Sequence, residues 1–211
     1  MALQVALLLG CAYLLGAIPF SLVIARMRGV DLREHGSGNA GATNAMRVLG
    51  KGPGVLVFAL DFFKGLIATV VLPEAILGAL PPEWTMVAAG TAAMLGHVFT
   101  IWGALFFGGW KGGKGVATGA GMLTGLVPVA VLAGLVVFVT VVATTRLVSL
   151  GSILSATTIP IALGVRTLLA PSTAPGLAIW IFALAVPLFI VWTHRANVRR
   201  LLAGTEARVS G

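Results

Sequence analysis

Long uncharged runs dominate this chain and restrict what it can fold into. The longest, residues 116–145, contains thirty residues without a charge. Further apolar runs occupy residues 2–25, 53–72, 84–107, 150–168 and 175–193. A bilayer-spanning helix needs about 20 apolar residues, and soluble domains carry about 25% charged residues. Only 9% of these 211 residues are charged and 58% are hydrophobic, so the sequence predicts an all-α integral membrane protein.

The run 116–145 is too long for one spanning helix. Gly121, Gly125 and Pro128 lie in its middle, so we expect two short helices that turn near Gly125–Pro128. This gives seven transmembrane helices in a single domain, 1–211, with the first bent near Pro19. We expect a loop over 73–83 and an unbroken third span over 84–107.

The distribution of basic residues supports seven crossings. With that number, 12 of the 14 Lys and Arg residues lie on one side, and Glu74 and Glu83 lie on the other. Since cytoplasmic loops carry the excess of positive charge, we expect the N-terminus outside and the C-terminus in the cytoplasm. The twelve are Arg26, Arg28, Arg33, Arg47, Lys51, Lys111, Lys114, Arg146, Arg195, Arg199, Arg200 and Arg208.

The segment Gly36–Arg47 is the most distinctive polar stretch. Its glycines allow backbone N–H groups to approach a ligand, its Ser, Thr and Asn residues add neutral donors, and its arginine adds a planar cation. This combination is suited to phosphate or another oxyanion. A flexible cytoplasmic loop is the alternative interpretation.

A second anion-binding candidate is Lys111-Gly112-Gly113-Lys114-Gly115. Thr118 follows one turn later, where we expect a helix to begin, and a helix N-terminus behind a Gly-Lys loop attracts anions. The spacing is not that of a Walker A motif. The alternative is that the lysines meet anionic lipid head groups. His97, in the preceding span, joins this group as a candidate because of its proximity to a phosphate loop.

Three weaker clusters complete the set of candidates. Arg146, Ser149 and Ser152 are spaced to share one helical face, and His194 and Asn197 are three apart. Capping and a basic tail are the alternatives for these two clusters. Asp61 and Lys64 form an intramembrane pair that either serves the site or holds the structure together.

Taken in order, these clusters resemble those of the bacterial acyl-phosphate:glycerol-3-phosphate acyltransferase family (the PlsY family). Family motifs are matched by Gly36–Arg47, Asp61–Lys64, Gly96–Phe99, Lys111–Thr118, Arg146–Ser149, His194–Asn197 and Gly204–Glu206. Thr100 departs from the family's usual proline, and the connection from His97 to Lys111 is longer than in the family pattern.

The resemblance implies a multi-pass enzyme of the bacterial inner membrane with its active site facing the cytoplasm. It would transfer a fatty acyl group from long-chain acyl-phosphate to the 1-hydroxyl of glycerol 3-phosphate, giving lysophosphatidic acid and phosphate. This is the committing step of bacterial phospholipid synthesis. We expect a monomer within membrane lipid, with no cofactor, no metal and no nucleic-acid partner.

The candidate catalytic residues are His97, Ser37 and Lys111. For glycerol 3-phosphate we predict contacts from Ser37, Arg47, Lys111, Arg146, Ser149, His194 and Asn197. For acyl-phosphate we predict contacts from Ser37, Gly38, Asn39, Asn44, Gly112, Gly113, Lys114, Gly115 and Thr118, and Thr43, Lys64 and His97 complete the substrate-binding set. Parts of this division are interchangeable.

The sequence offers no Ser-His-acid triad, and Cys11, the only cysteine, lies outside the polar clusters. Because phosphate is already a good leaving group, we expect direct attack by the glycerol hydroxyl. Its proton would pass to His97 or to an oxygen of the acyl-phosphate, and we favour the latter, with His97 orienting. A transporter of phosphate-bearing solutes and a lipid-binding scaffold are the rival classes.

Overall fold

The computed structural model describes residues 1–78 and 82–209, and helices are its only regular elements apart from an isolated bridge between Phe99 and Lys111. The described chain forms two compact units, Met1–Gly125 and Leu126–Gly211, of which the second is described to residue 209. The prediction of an all-helical chain is confirmed.

The first unit begins with a broken helix. Helix α1 (Ala2–Gly16) and helix α2 (Phe20–Arg26) meet at a bend of 40°, at the expected proline. Helix α1 packs so closely on helix α6 (Glu83–Val98) that a Cβ at Gly16 would overlap the backbone of Ala93. Only glycine permits this backbone contact.

Two helices follow the first polar loop. Helix α3 (Ala42–Leu49) is short, and helix α4 (Lys51–Leu66) continues through a π-helical turn (Ile67–Val71) into helix α5 (Leu72–Leu77). The predicted loop over 73–83 therefore starts too early. Pro73 lacks an N–H group, but it fits in the first turn after the π-helical turn, so the helix continues to Leu77. Residues 79–81 of that predicted loop lie outside the described residues.

The predicted third span, 84–107, is also wrong in detail. Helix α6 ends at Val98, Phe99 and Thr100 are extended, and helix α7 (Ile101–Phe107) is separate. The Thr100 side chain caps α7 by accepting from the Gly103 N–H, and it donates to the Ala17 carbonyl at 2.5 Å. These bonds stabilise a helix break at Phe99 and Thr100, where the sequence has neither proline nor glycine.

Helix α8 (Val116–Leu126) and helix α9 (Pro128–Thr145) are separate, so the predicted break near Gly125–Pro128 is confirmed. Only α8 is as short as predicted, because α9, with 18 residues, is long enough to cross a bilayer. Helix α8 crosses α4 at close range, because a Cβ at Gly65 would overlap the Thr118 backbone. This contact holds the start of α8 against the C-terminal end of α4.

The second unit consists of α9, α10 (Val148–Leu169), α11 (Leu177–Thr193) and α12 (Arg195–Leu202). Helix α9 displays large apolar side chains on its surface, as expected of a lipid-facing helix. They are Val129, Leu132, Leu135, Val136 and Val139.

Three described helices are long and apolar enough to cross a bilayer: Lys51–Leu77, Pro128–Thr145 and Val148–Leu169. Five segments qualify if the bent pairs α1–α2 and α11–α12 each count as one. Helix α6, with 16 residues, is about 24 Å long at 1.5 Å per residue, which is shorter than a typical hydrocarbon core.

Candidate active site

The side chain of Asn44 shapes the first glycine-rich loop from within. Its Oδ1 accepts from the Ser37 N–H at 2.8 Å, and its Nδ2 donates to the carbonyls of Leu32 and His35 at 3.1 and 3.0 Å. Gly36 has a φ of +63°, and a Cβ there would collide with the Asn44 amide. Asn44 is buried, so these three bonds fix the loop before any ligand arrives.

The second glycine-rich loop is fastened to the end of α6. The Gly112 N–H donates to the Val98 carbonyl at 2.9 Å, and the Gly113 N–H donates to the His97 carbonyl at 3.2 Å. Immediately before it, Lys111 forms the isolated bridge with Phe99. The longer connection between His97 and Lys111 therefore folds back, so that the loop returns to the histidine.

The two loops meet at Gly113. A Cβ at this position would overlap Nε2 of His97 and would lie 2.9 Å from the carbonyl oxygen of Ala40. The backbone of Gly113 thus lies between the imidazole ring and the first loop. A side chain of any size would separate these three groups.

His97 belongs to a buried chain of charged and polar groups. Its Nδ1 lies 3.5 Å from Oδ1 of Asp61, and the same oxygen lies 2.7 Å from Nζ of Lys64. Lys64 also donates to the Ile18 carbonyl at 2.9 Å and lies over the Phe20 ring. Asp61 therefore faces the ring nitrogen opposite to the one that faces Gly113, and Lys64 ties this pair to the break in the first span.

The remaining candidates of the first unit differ in exposure. The predicted phosphate contacts Ser37, Arg47 and Lys111 are exposed, whereas Thr118 is fully buried. Its Oγ1 has no hydrogen-bond partner among the described residues, and it lies in the first turn of α8, as the sequence predicted. Of the other candidates, Gly38, Asn39, Thr43 and Lys114 are half-buried, and Gly112, Gly113 and Gly115 are buried.

In the second unit, the Glu206 carboxylate accepts hydrogen bonds from three polar side chains. Its Oε1 accepts from Ser149 Oγ at 2.7 Å and from Asn197 Nδ2 at 2.5 Å, and its Oε2 accepts from Arg200 Nε at 2.7 Å. The Val209 N–H donates to the Arg146 carbonyl at 2.9 Å. The polypeptide after α12 thus folds back over the start of α10.

Arg146 does not share a helical face with Ser149 and Ser152. It lies between α9 and α10 with a φ of +62°, and α10 begins only at Val148. The i, i+3 argument therefore fails for the arginine. His194 is the residue that separates α11 from α12, and its Nδ1 lies 2.8 Å from the Ile190 carbonyl.

Among the described residues, no group of three or more His, Cys, Asp or Glu side chains is placed to hold a metal ion. In the first unit, two glycine-rich loops with cationic side chains meet beside the buried His97.

The family model for glycerol-3-phosphate acyltransferase matches residues 6–204. This chain belongs to the glycerol-3-phosphate acyltransferase family. The resemblance read from the motifs is thereby confirmed, and the chain is a bacterial-type membrane acyltransferase of that family.

Similar proteins cover almost the whole length of this acyltransferase family member. The glycerol-3-phosphate acyltransferase of Synechococcus sp. (strain CC9902) is 41% identical, over 99% of this chain and 97% of that protein. That of Halalkalibacterium halodurans is 44% identical, over 94% of this chain and 92% of that protein.

Two crystal structures of PlsY (YgiH), an integral membrane glycerol 3-phosphate acyltransferase, are also similar. The glycerol 3-phosphate form has a TM-score of 0.83 and 38% identity, and it covers 98% of this chain and 96% of that one. The lysophosphatidic acid form has a TM-score of 0.81 and 37% identity, with 98% and 95% covered.

Within this acyltransferase fold, sequence reasoning missed three residues. Asp61 was noted only as the partner of Lys64, although it also faces His97. Glu206 was noted only as part of the Gly-Thr-Glu motif, and Arg33 only as a basic residue. The Gly-Thr-Glu motif could have identified Glu206 as a candidate site residue. The contacts of Asp61 and Arg33 join segments distant in sequence, so no local pattern identifies them.

Glu206 provides a prediction for this acyltransferase. Burial alone would raise its pKa. Hydrogen bonds from Asn197 and Ser149, together with the Arg200 guanidinium, lower the pKa by more than burial raises it, so the pKa lies below its ordinary value of 4.5. A carboxylate with a lowered folded-state pKa stabilises the fold above the unfolded pKa and loses that contribution as pH falls through the folded pKa. We therefore expect Glu206→Gln to lower the apparent Tm at pH 7, and to make the Tm less sensitive to acid below 4.5.

Tryptophan fluorescence during heating of the detergent-solubilised protein measures this effect. Glu34→Gln is the matched control, because Glu34 is an exposed carboxylate. Equal Tm changes for the two variants at pH 7 would contradict a stabilising role for Glu206.

Proposed function

We propose that this chain transfers a fatty acyl group from acyl-phosphate to the 1-hydroxyl of glycerol 3-phosphate, giving lysophosphatidic acid and inorganic phosphate. The observation that carries the proposal is the position of Gly113, whose backbone lies between His97 and Ala40 and so brings the two glycine-rich loops together at one histidine. Both substrates carry phosphate, and a site for them requires two anion sites side by side.

Each loop supplies what phosphate needs. Backbone N–H groups of a glycine-rich loop followed by a helix N-terminus favour negative charge, and both loops have this order, before α3 and before α8. We assign Ser37, Arg47 and Lys111 to glycerol 3-phosphate. We assign the backbone of Gly112–Gly115, together with the hydroxyl of Thr118, to the phosphate of the acyl donor.

Two of the predicted contact residues, Asn44 and Lys64, already bind other groups of the protein. Asn44 uses both of its Nδ2 protons and Oδ1 within its own loop, so a ligand would have to replace one of those bonds. Lys64 already contacts Asp61 and Ile18. We propose that both residues act by holding the site in shape. The roles of Arg146, Ser149, His194 and Asn197 in the second unit stay predictions from the sequence.

The reaction replaces one acyl C–O bond with another and moves one proton. The 1-hydroxyl oxygen attacks the carbonyl carbon of acyl-phosphate, the C–O bond to phosphate breaks, and phosphate leaves with that electron pair. The hydroxyl proton passes to an oxygen of the departing phosphate, which titrates near neutrality. Cationic and backbone donors around the phosphate stabilise the charge that develops on it.

His97 orients the reactants in this mechanism. Oδ1 of Asp61 is closer to Lys64, at 2.7 Å, than to His97, at 3.5 Å, so its negative charge is largely neutralised by the lysine. The carboxylate then serves mainly to hold the imidazole ring in its orientation. Nε2, on the loop side, is left to hydrogen bond with a substrate.

We expect His97→Ala to slow the single-turnover rate by less than tenfold, because it removes an orienting contact and leaves the proton acceptor on the substrate. A general base typically contributes 10²–10⁴-fold, so a loss of that size would instead assign the proton to His97. Rapid-quench measurement of lysophosphatidic acid from pre-bound palmitoyl-phosphate distinguishes the two outcomes.

One assay tests the proposed function against its rivals. Purified protein is incubated with radiolabelled glycerol 3-phosphate and palmitoyl-phosphate, and separately with palmitoyl-coenzyme A. The proposal expects labelled lysophosphatidic acid and equimolar phosphate with palmitoyl-phosphate only. A transporter would accumulate label in proteoliposomes without product, and a scaffold would show neither, so either result would overturn the proposal.

We further propose seven spans in the bacterial inner membrane, with the N-terminus outside and both loops facing the cytoplasm. The distribution of basic residues supports this topology. In a Cys11→Ser background, Glu34→Cys should be protected from a membrane-impermeant maleimide added to intact cells, and Glu74→Cys should react. Reaction of both residues from outside would contradict the topology.

A further inference from the structure

Arg33 lies outside both glycine-rich segments and reaches from the first polar loop to the second. Its guanidinium Nη1 donates to the Phe107 carbonyl, and its Nη2 donates to the carbonyls of Gly109 and Lys111 at 2.7 and 3.2 Å. One side chain therefore binds three main-chain oxygens of the connection that leads to Lys111.

The three acceptors are spaced two residues apart, and the intervening groups bind elsewhere. The Trp110 carbonyl accepts from the Thr100 N–H at 2.9 Å, and the Gly112 N–H donates to Val98 at 2.9 Å. Phe107 is the last residue of α7, and Gly108 after it has the left-handed conformation. The stretch 109–112 then lies between the end of α6 and the Arg33 guanidinium and hydrogen bonds to both.

Arg33 is itself held in the first loop. Its backbone N–H donates to Oδ1 of Asp31 at 2.9 Å. Gly38 has a φ of +65°, and a Cβ there would lie 3.0 Å from the Arg33 carbonyl oxygen. The chain that carries Ser37 and Gly38 therefore bends directly over Arg33, so one residue contacts both loops.

We propose that Arg33 is a positioning residue that sets Lys111 and the Gly112–Gly113 backbone against His97. The proposal rests on the proposed function, because it assigns Arg33 its effect through the phosphate contact of Lys111. Both terminal nitrogens of Arg33 donate to main-chain carbonyl oxygens, so we assign this side chain to holding the backbone and not to binding a substrate.

Lysine cannot replace arginine in this position. The planar guanidinium presents a fixed fork of donors that reaches three oxygens along one edge, whereas an ammonium is a compact point charge. Arg33→Lys keeps the charge and removes the fork. A displacement of about 1 Å in a reacting group costs about 100-fold in rate, so we expect kcat/KM for glycerol 3-phosphate to fall by that order.

Arg26 offers a matched control. It also donates to a carbonyl near the end of α7, that of Phe106 at 2.8 Å, and its guanidinium lies over the Phe107 ring, but it makes no bond to residues 108–111. We expect Arg26→Lys to keep kcat/KM within about threefold of the parent, since it does not set Lys111. An equal loss in the two variants would overturn the proposal.

A double-mutant cycle separates positioning from general stability. If Arg33 acts by placing Lys111, then Arg33→Lys costs much less once Lys111→Ala has removed the side chain that it places. Multiplying the two single losses gives the activity expected if the residues act independently. We expect the double variant to be at least tenfold more active than that value. Independent, multiplicative losses would overturn the proposal.

A second variant keeps the test valid if Arg33→Lys does not fold. A Cβ at Gly109 would lie 3.3 Å from Nη1 of Arg33, so Gly109→Ala disturbs the same contact from the other side. It should show the same non-additivity with Lys111→Ala. An inactive parent protein would contradict the proposed function, whereas an active parent with an insensitive Arg33 contradicts only this inference.

Discussion

Replacing Gly113 with alanine is expected to reduce kcat/KM by at least about 100-fold, because the new methyl group would occupy the contact between the two loops. A Cβ at this position overlaps Nε2 of His97 and lies 2.9 Å from the Ala40 carbonyl oxygen. His97 is held at two points, because its ring is flanked by Asp61 and its carbonyl accepts from the Gly113 N–H. The loop has to move away from the histidine to admit the methyl group.

The measurement is the initial rate of lysophosphatidic acid formation at several concentrations of both substrates. Gly52→Ala is the matched control, since a Cβ at Gly52 meets nothing within 4 Å and the residue lies in helix α4. We expect the control to retain full activity and to be slightly stabilised, as alanine favours helix. Activity of Gly113→Ala within threefold of the parent would show that the loops do not require this contact.

Local sequence signals predicted the features of the fold that depend on neighbouring residues. Proline and glycine located the break between α1 and α2 and the break between α8 and α9, and the glycine-rich loop located the start of α8. In each case a residue near the break either lacks an N–H group or permits unusual backbone angles. The same signals failed at Pro73, where a π-helical turn accommodates the ring.

The end of α6 could not be predicted, because its cause is distant in sequence. Phe99 and Thr100 leave the helix to pair with Lys111 and Trp110, and Thr100 caps the next helix. Neither residue is a helix breaker. Helical periodicity likewise misplaced Arg146, since nothing in its neighbours reveals the left-handed conformation that separates α9 from α10.

The candidate site was predicted by residue type and not by geometry. Glycine-rich segments with lysine and arginine indicate anion binding whatever the fold, so both loops were identified. Which side chains hold those loops depends on contacts between distant segments, such as that of Arg33 with Gly109 and that of Asp61 with His97. Such contacts leave no periodic signal in a single sequence.

The buried pair of Asp61 and Lys64 gives the largest expected effect on stability. Both side chains are almost fully buried in α4, and the lysine bonds to Asp61 at 2.7 Å and to the Ile18 carbonyl at 2.9 Å. Removing one partner of a buried ion pair leaves an uncompensated charge and typically costs about 3–5 kcal/mol. We therefore expect Asp61→Asn to lower the apparent Tm strongly, and to unfold part of the protein during detergent extraction.

Replacing both charges should restore much of the loss, because a buried pair is often no more stable than apolar residues of similar size. We expect Asp61→Asn with Lys64→Met to be closer to the parent in Tm than Asp61→Asn alone, while Glu74→Gln, an exposed carboxylate, leaves the Tm unchanged. The double variant also separates stability from catalysis. If the Tm of the double variant recovers but its kcat stays low, the Asp61 carboxylate acts on catalysis through His97. If kcat recovers together with Tm, the ion pair is purely structural, and His97 is oriented without the carboxylate.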